Sequence, residues 1–225
     1  MLLAVGCRDS TDAQPAPGHA EPGPGATQPS SAYPTPRTDA FRIVFLGDSL
    51  SAGLGLAADE AFPAIVEHTL RDEGYDVDVL NAGVSGDTSA GGLSRLDWAL
   101  RGQPDLVVIE LGGNDALRGQ PVANIEANLR AIVERVRETG AEVLLLGMDI
   151  PTNYGRDYAG GFAALYPRIA EDLDVPLVPE FVREVGSHRG LMQLDGLHPS
   201  ARGHRRLAES LVPYLKAIII AAGHG

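Results

Sequence analysis

Cysteine, positive charge and long apolar runs are all scarce in this chain of 225 residues. Its single cysteine, Cys7, can form neither an internal disulfide nor a cysteine-rich zinc site. Lysine and arginine number 18 against 30 acidic residues, which gives a formal net charge of −12. Because a nucleic-acid binder neutralises phosphates with such cations, this charge balance argues against DNA or RNA as a partner.

The apolar residues are spread along the chain rather than gathered in one span. No run approaches the roughly 20 apolar residues that cross a bilayer, and the run at residues 217–222 is far too short. Hydrophobic residues make up 44% of the chain and charged residues 21%, with 27 glycines and 16 prolines. This composition is typical of a globular protein with a disordered part. The length fits one α/β domain with a tail.

Residues 1–40 differ in composition from the rest of the chain. They hold seven of the 16 prolines, and after Leu3 and Val5 they contain no large aliphatic residue. Such a segment buries too little apolar surface to offset the entropy cost of ordering it. We therefore expect a disordered linker rich in proline, alanine and glycine, followed by one folded domain over residues 41–225.

The first seven residues resemble a targeting signal. The segment 3–7 is similar to the lipobox of bacterial lipoproteins, in which the cysteine receives the lipid. A secretory signal also needs a basic segment and about 7–15 apolar residues, and too few residues precede Cys7, so the signal is truncated in this sequence. We expect an exported protein that a lipid on Cys7 tethers to a membrane. The alternative is an unmodified cysteine in a disordered leader.

Beyond residue 40, short β-rich runs alternate with segments of helical period. The predicted strands are 41–46, 75–80, 105–111, 142–148 and 175–178. The predicted helices are 59–73, 89–101, 121–140, 162–173 and 200–220. Alternation of this kind implies parallel pairing, and hence a three-layer α/β/α sandwich around a five-stranded parallel sheet.

Polar, glycine-containing segments follow three of the predicted strands, at 47–49, 83–88 and 112–115. Ligands bind beyond the carboxyl ends of the strands in such sheets, so these three loops define a candidate site. Ser49 follows the first strand, and Gly47 lets the backbone turn sharply beneath its hydroxyl. Ser49 is either a nucleophile or a capping or turn serine. The G-x-S-x-G elbow of ordinary α/β-hydrolases is absent around it.

A second group of polar residues lies before the last predicted helix. In Asp195-Gly-Leu-His198-Pro199 the aspartate can hold the Nδ1–H of His198, which leaves Nε2 free to accept a proton from a serine. The alternatives are a surface histidine and a metal ligand. Because His188 and His204 lack the spacing of metal ligands, we expect no metal.

Acyl transfer also needs hydrogen-bond donors for the oxyanion that develops on the carbonyl group. Asn114 offers a side-chain amide at the end of the third strand, and Gly86 offers a backbone N–H with no side chain in the way. The alternatives are Asn81 as the amide donor and a helix-capping role for Asn114.

Together these blocks resemble the SGNH (GDSL) hydrolases, from residue 41 to the last helix. The likeness rests on Gly47-Asp-Ser-Leu-Ser-Ala-Gly53, Ser85-Gly-Asp-Thr88, Glu110-Leu-Gly-Gly-Asn-Asp115, Asn153-Tyr-Gly155 and the block 195–199. It looks most like the branch of periplasmic acyl-CoA thioesterases and lysophospholipases and their arylesterase relatives. The resemblance implies a flavodoxin-like sheet order and neither a metal nor a cofactor.

The same resemblance assigns roles to the site residues. It implies that Ser49 is the nucleophile, that His198 is the base and that Asp195 orients His198. It also implies an oxyanion hole formed by the Ser49 N–H, the Gly86 N–H and the Asn114 amide. Tyr154 either lines the acyl pocket or packs within its own loop.

The expected activity is that of a serine esterase acting on carboxylic esters or thioesters through an acyl-enzyme. Aryl esters, lysophospholipids and acyl-CoA are the expected small-molecule substrates. The expected location is the periplasm or a membrane surface. Two alternatives stay open: a carbohydrate O-acetylesterase with the same triad, and a non-catalytic surface lipoprotein on a hydrolase-derived fold.

Overall fold

Strands and helices alternate along residues 39–150 and 152–225, the ranges that the computed structural model describes. The strands are β1 (Phe41–Gly47), β2 (Val77–Asn81), β3 (Leu106–Glu110), β4 (Glu142–Leu146) and β5 (Leu177–Val178). The helices are α1 (Ser49–Ala52), α2 (Phe62–Asp72), α3 (Ser89–Ser94), α4 (Leu96–Ala99), α5 (Gly113–Leu117), α6 (Val122–Glu138), α7 (Arg156–Leu173), α8 (Arg183–Gly186) and α9 (Ala201–Ala221). Cys7 and nearly all of the predicted linker lie outside the described residues. None of the helices in the described ranges has the length and apolar character needed to span a bilayer.

The five strands of the described residues pair in parallel, in the order β2-β1-β3-β4-β5. This is the flavodoxin-like order that the family resemblance implies. Within it, Val44 of β1 pairs with Leu80 of β2 on one side and with Val107 of β3 on the other. From β1 the chain passes to β2 on one side of the sheet and then returns to β3 on the other side. A crevice therefore opens between β1 and β3, beyond the carboxyl ends of these strands. The expected fold is confirmed.

Successive residues of β1 enter two separate cores. Val44 and Leu46 pack in the core beneath α6 and α7, whereas Ile43 and Phe45 pack in the core beneath α2 and α9. Side chains alternate between the faces of a strand, so a strand covered on both faces needs apolar residues at nearly every position. The three layers follow from this pattern.

The helices predicted over 89–101 and 162–173 differ most from the structure. The predicted helix over 89–101 is broken into α3 and α4, because Arg95 leaves the helical path with φ −106° and ψ 6°. Helix α7 begins earlier than predicted and runs through Gly160 and Gly161. Each glycine costs a helix about 1 kcal/mol, and the burial of residues such as Phe162 on the same helix outweighs that cost.

His204 is a buried histidine on the face of α9 that packs against α2. Its Nδ1 accepts a hydrogen bond from the Phe62 N–H at 3.0 Å, and the two rings stack with centroids 6.0 Å apart. The residue is 1% exposed. Burial, with a smaller contribution from the charge of His198, lowers the pKa of His204 to about 4. The imidazole is therefore neutral at pH 7, and its Nδ1 acts as an acceptor.

We expect the free energy of unfolding to fall as the pH is lowered from about 6.5 towards about 4, in part through His204. In this range the unfolded chain binds a proton at residue 204 and the folded chain does not, so protons favour unfolding. The loss at pH 5 is about 2 kcal/mol, since one pKa unit is worth about 1.4 kcal/mol. His204→Asn keeps an acceptor for the Phe62 N–H and should remove most of this loss in urea unfolding at pH 7 and pH 5. The same pH dependence in both proteins would contradict the assignment.

Candidate active site

Ser49 is the first residue of α1, immediately beyond β1. Asp48 caps this helix, because its Oδ1 accepts the Leu50 N–H at 3.0 Å. Asp48, and not Ser49, is therefore the capping residue of this helix. Ser49 lines the cavity beyond the sheet. Gly47 is required by packing, since a Cβ at this position would lie 2.0 Å from Ser51 Oγ.

His198 and Ser49 lie 149 residues apart in sequence and within hydrogen-bond distance in the fold. His198 Nε2 is 3.0 Å from Ser49 Oγ, and His198 Nδ1 is 2.7 Å from Asp195 Oδ2. The three side chains thus stand in the order serine, histidine and carboxylate that a Ser-His-Asp triad requires.

Backbone pairing holds the loop that carries Asp195 and His198. Gln193 N donates to the His198 carbonyl at 2.7 Å, inside a short antiparallel bridge between Met192 and Pro199. The side chain of Gln193 also donates from Nε2 to the Leu54 carbonyl at 2.7 Å. Because Leu54 follows α1, this bond ties the histidine loop to the segment that carries Ser49.

Asp195 is surrounded by donors although its side chain is half exposed. Besides the His198 ring, it accepts the backbone N–H groups of Leu197 at 2.9 Å and His198 at 3.0 Å. These hydrogen bonds, that of the His198 ring first, lower the pKa of Asp195 to about 2. An ionised carboxylate only accepts, so the His198 proton lies on Nδ1 and the bare Nε2 can accept the Ser49 proton.

The three predicted oxyanion donors line the same cavity as His198. Gly86 adopts φ +80°, a left-handed conformation that glycine adopts without strain. Within the described residues, neither the Ser49 N–H nor the Gly86 N–H has an acceptor. One N–H of the Asn114 amide donates to Asp48 Oδ2 at 2.9 Å, which leaves the second N–H for a ligand. Asn81 is not among the described residues that line this cavity, and its amide donates to the Ser51 carbonyl at 2.7 Å.

The cavity has a volume of about 590 Å³ and mostly apolar walls. Its apolar lining consists of Leu50, Leu54, Leu117, Met148, Ile150, Val182, Met192, Leu197 and Pro199. Tyr154 is 41% exposed, and the described residues that line this cavity do not include it.

Comparison with known proteins identifies the family. The GDSL-like lipase/acylhydrolase family matches residues 45–206. The chain belongs to this family. The match covers most of the folded domain. The family resemblance that the sequence motifs indicated is therefore confirmed.

Named members of the GDSL-like family include close relatives of this chain. It is 45% identical to the esterase TesA of Pseudomonas aeruginosa over 186 residues, which are 82% of this chain and 92% of that protein. It is 41% identical to thioesterase 1/protease 1/lysophospholipase L1 of Escherichia coli over 178 residues, 79% of this chain and 84% of the relative. The crystal structure of the esterase EstA from Pseudoalteromonas sp. matches with a TM-score of 0.76 at 35% identity, covering 79% of this chain and 97% of that one. The expected enzyme class, a carboxylic ester hydrolase, is confirmed.

In this GDSL-like hydrolase, Glu110 hydrogen-bonds the residues on either side of Ser49, a role that the sequence analysis did not predict. It is the last residue of β3 and is fully buried. Its Oε2 accepts the Asp48 N–H at 3.2 Å, the Ser51 N–H at 3.1 Å and the Ser51 hydroxyl at 2.8 Å. The available signal was an acidic residue at the end of an otherwise apolar strand.

Burial raises the pKa values of two neighbouring carboxyl groups, Glu110 and Asp48. For Glu110, burial first and the charge of Asp48 second raise the pKa well above its usual range, which favours the neutral form at pH 7. Within the described residues its Oε1 has no hydrogen-bond partner, and a proton on that oxygen leaves Oε2 to accept its three donors. Burial also raises the pKa of Asp48, to about 6, although the N–H of Leu50 and the amide of Asn114 lower it.

Glu110→Gln should reproduce the neutral form, with an oxygen that accepts the same three donors and an NH₂ group in place of the protonated oxygen. We expect it to change the free energy of unfolding by less than about 1 kcal/mol and to keep most of the esterase activity. Glu110→Ala leaves the hydrogen-bond donors around this position unpaired and should lower the free energy of unfolding by about 3 kcal/mol. Urea unfolding at pH 7 measures both. Equal losses would contradict a neutral Glu110.

Proposed function

We propose that this protein is a serine esterase in which Ser49 attacks the carbonyl carbon of a carboxylic ester or thioester. The proposal is carried by the hydrogen bonds that run from Ser49 Oγ through His198 to Asp195, with separations of 3.0 and 2.7 Å. His198 Nε2 takes the Ser49 proton during the attack, and Asp195 stabilises the imidazolium that forms.

The oxyanion of the tetrahedral intermediate lies, in this proposal, among the Ser49 N–H, the Gly86 N–H and the Asn114 amide. Each such donor contributes about 3–4 kcal/mol to the transition state. Collapse of the intermediate breaks the bond to the leaving alcohol, phenol or thiol, which takes its proton from His198. A water molecule then gives a proton to His198, attacks the acyl-enzyme and releases the carboxylic acid and the free serine.

The apolar cavity walls favour an ester with an apolar acyl group. We infer that aryl esters, lysophospholipids and acyl-CoA are the substrates, which agrees with the names of the esterase and thioesterase/lysophospholipase relatives. A carbohydrate O-acetylesterase would use the same triad, but these walls offer the hydroxyl groups of a sugar few polar partners.

We also propose that the protein is exported and tethered to a membrane by a lipid on Cys7. The support is the likeness of the segment 3–7 to a lipobox. Mass spectrometry of natively expressed protein should find a lipid on Cys7, and an unmodified cysteine thiol would refute the tether.

Ser49→Ala should lower kcat for p-nitrophenyl butyrate by at least about 10³-fold, because no other group supplies the nucleophile. Circular dichroism should show an unchanged fold. A fluorophosphonate probe should label the wild type and Ser94→Ala, in which only an exposed serine is lost, but not Ser49→Ala. Turnover by Ser49→Ala would refute the nucleophile, and an unlabelled wild type would indicate a binding protein without catalysis.

The value of kcat/KM for p-nitrophenyl esters should rise by at least about tenfold from acetate to octanoate. Each methylene buried against the apolar walls is worth about 0.8 kcal/mol. The measurement includes acetylated xylan as a second substrate class. A preference for acetyl groups on the sugar over long acyl chains would instead identify an O-acetylesterase.

A further inference from the structure

Arg95 lies beneath the candidate site, at the break between α3 and α4. Its side chain is 16% exposed, and its hydrogen bonds go to neither Ser49 nor His198. The guanidinium group donates from Nη2 to the Gly47 carbonyl at 3.0 Å and from Nη1 to the Ala82 carbonyl at 2.6 Å. Its Nε donates to Asp87 Oδ2 at 2.7 Å. One planar group therefore bonds three acceptors.

These acceptors belong to the two loops that supply the backbone donors of the oxyanion hole. Gly47 ends β1 and stands two positions before Ser49, and Asp87 directly follows Gly86. The Gly47 carbonyl also accepts the Val84 N–H at 3.0 Å, so the loops meet at this oxygen. The distance between the Ser49 N–H and the Gly86 N–H thus depends on groups that Arg95 holds.

The other side of the Gly86 loop is fixed by a separate carboxylate. Asp115 accepts the Ser89 N–H and the Ser89 hydroxyl, each at 2.7 Å. Because Asp115 follows Asn114, this pair joins the Gly86 loop to the loop of the amide donor. Arg95 in turn joins the Gly86 loop to the segment that precedes Ser49.

We propose that Arg95 is a positioning residue of the oxyanion hole, which sets the separation of the Ser49 and Gly86 N–H groups through their loops. The inference rests on the proposed function, since it concerns the same oxyanion. Arginine suits the task because its planar fork offers five donors in fixed directions. The ammonium group of lysine is a compact point charge and cannot reach three such acceptors in one plane.

The test is Arg95→Lys, measured by kcat, KM and inhibition by an alkylboronic acid, which forms a tetrahedral anionic adduct with a serine. We expect kcat to fall by about 10- to 100-fold, since losing one oxyanion donor outright costs about 10²–10³-fold. The value of KM should change by less than about twofold, because the donors act on the tetrahedral state. Inhibition by the boronic acid should weaken by the same factor as kcat. An unchanged kcat and boronic-acid affinity, with only thermal stability lost, would overturn the proposal.

Arg130→Lys is the matched control for the loss of a bonded guanidinium group. Arg130 lies on α6, is 25% exposed and donates to Glu126 and Asp172, away from the cavity. It should leave kcat and the boronic-acid affinity unchanged. If Arg130→Lys lowers both as much as Arg95→Lys does, the effect of Arg95 is general destabilisation and the proposal fails.

Combined variants identify the donor through which Arg95 acts. Gly86→Ala strains the φ of +80° and displaces the Gly86 N–H. In the Gly86→Ala background, Arg95→Lys should then lower kcat little further. In the Asn114→Ala background it should lower kcat by the full factor of about 10- to 100-fold. The full loss of kcat in both backgrounds would overturn the assignment to Gly86.

A second variant covers the case in which Arg95→Lys does not fold. Asp87→Asn weakens one of the three bonds of Arg95 and keeps the other two, so kcat should fall by a smaller factor, about 3- to 10-fold. An unchanged kcat in Asp87→Asn would then overturn the proposal. Failure of the proposed function is distinguishable, since Ser49→Ala would keep its turnover whatever Arg95 does.

Discussion

The hydrogen bond between His198 and the Asp195 carboxylate is the interaction on which the chemistry of this site depends. Asp195 stays ionised because three N–H groups surround it, and an ionised carboxylate fixes the His198 proton on Nδ1. Only then does Nε2 present a lone pair to Ser49. A serine hydroxyl is a weak nucleophile without such a base, so in the proposed mechanism the loop that holds Asp195 is as necessary as Ser49 itself.

The polar groups beneath the site show how a buried framework keeps that geometry. The Asp48 N–H donates to Glu110, and these two residues hydrogen-bond Ser51 of α1 and the Asn114 amide. Arg95 and Asp115 join the neighbouring loops by further charged hydrogen bonds. Buried polar groups are costly unless they are paired, and here the pairings join the segments that carry the proposed oxyanion donors. In the proposed mechanism the same residues therefore serve stability and alignment.

Much of this architecture could be predicted from the order of residues, because short-range patterns carry it. The apolar run of β1 indicated a strand covered on both faces, and glycines with polar residues after β1, β2 and β3 indicated loops at one edge of the sheet. The break at Arg95 and the early start of α7 were not predicted, since helix limits depend on packing partners that lie far away in the chain. For Tyr154 the sequence left two roles open, lining the acyl pocket or packing within its own loop, because periodicity does not determine the conformation of a loop.

By itself the sequence determined the class of fold, the family motifs and the chemical types available at positions 49, 195 and 198. Those properties are local or follow from the parallel alternation of strands and helices, whose carboxyl ends must meet at one edge. Only the tertiary structure decided that Ser49 and His198 come within 3.0 Å, that burial raises the pKa of Glu110 and that Arg95 joins two loops. Each of these depends on burial and on distances between segments far apart in the chain, and both exist only once the sheet has formed.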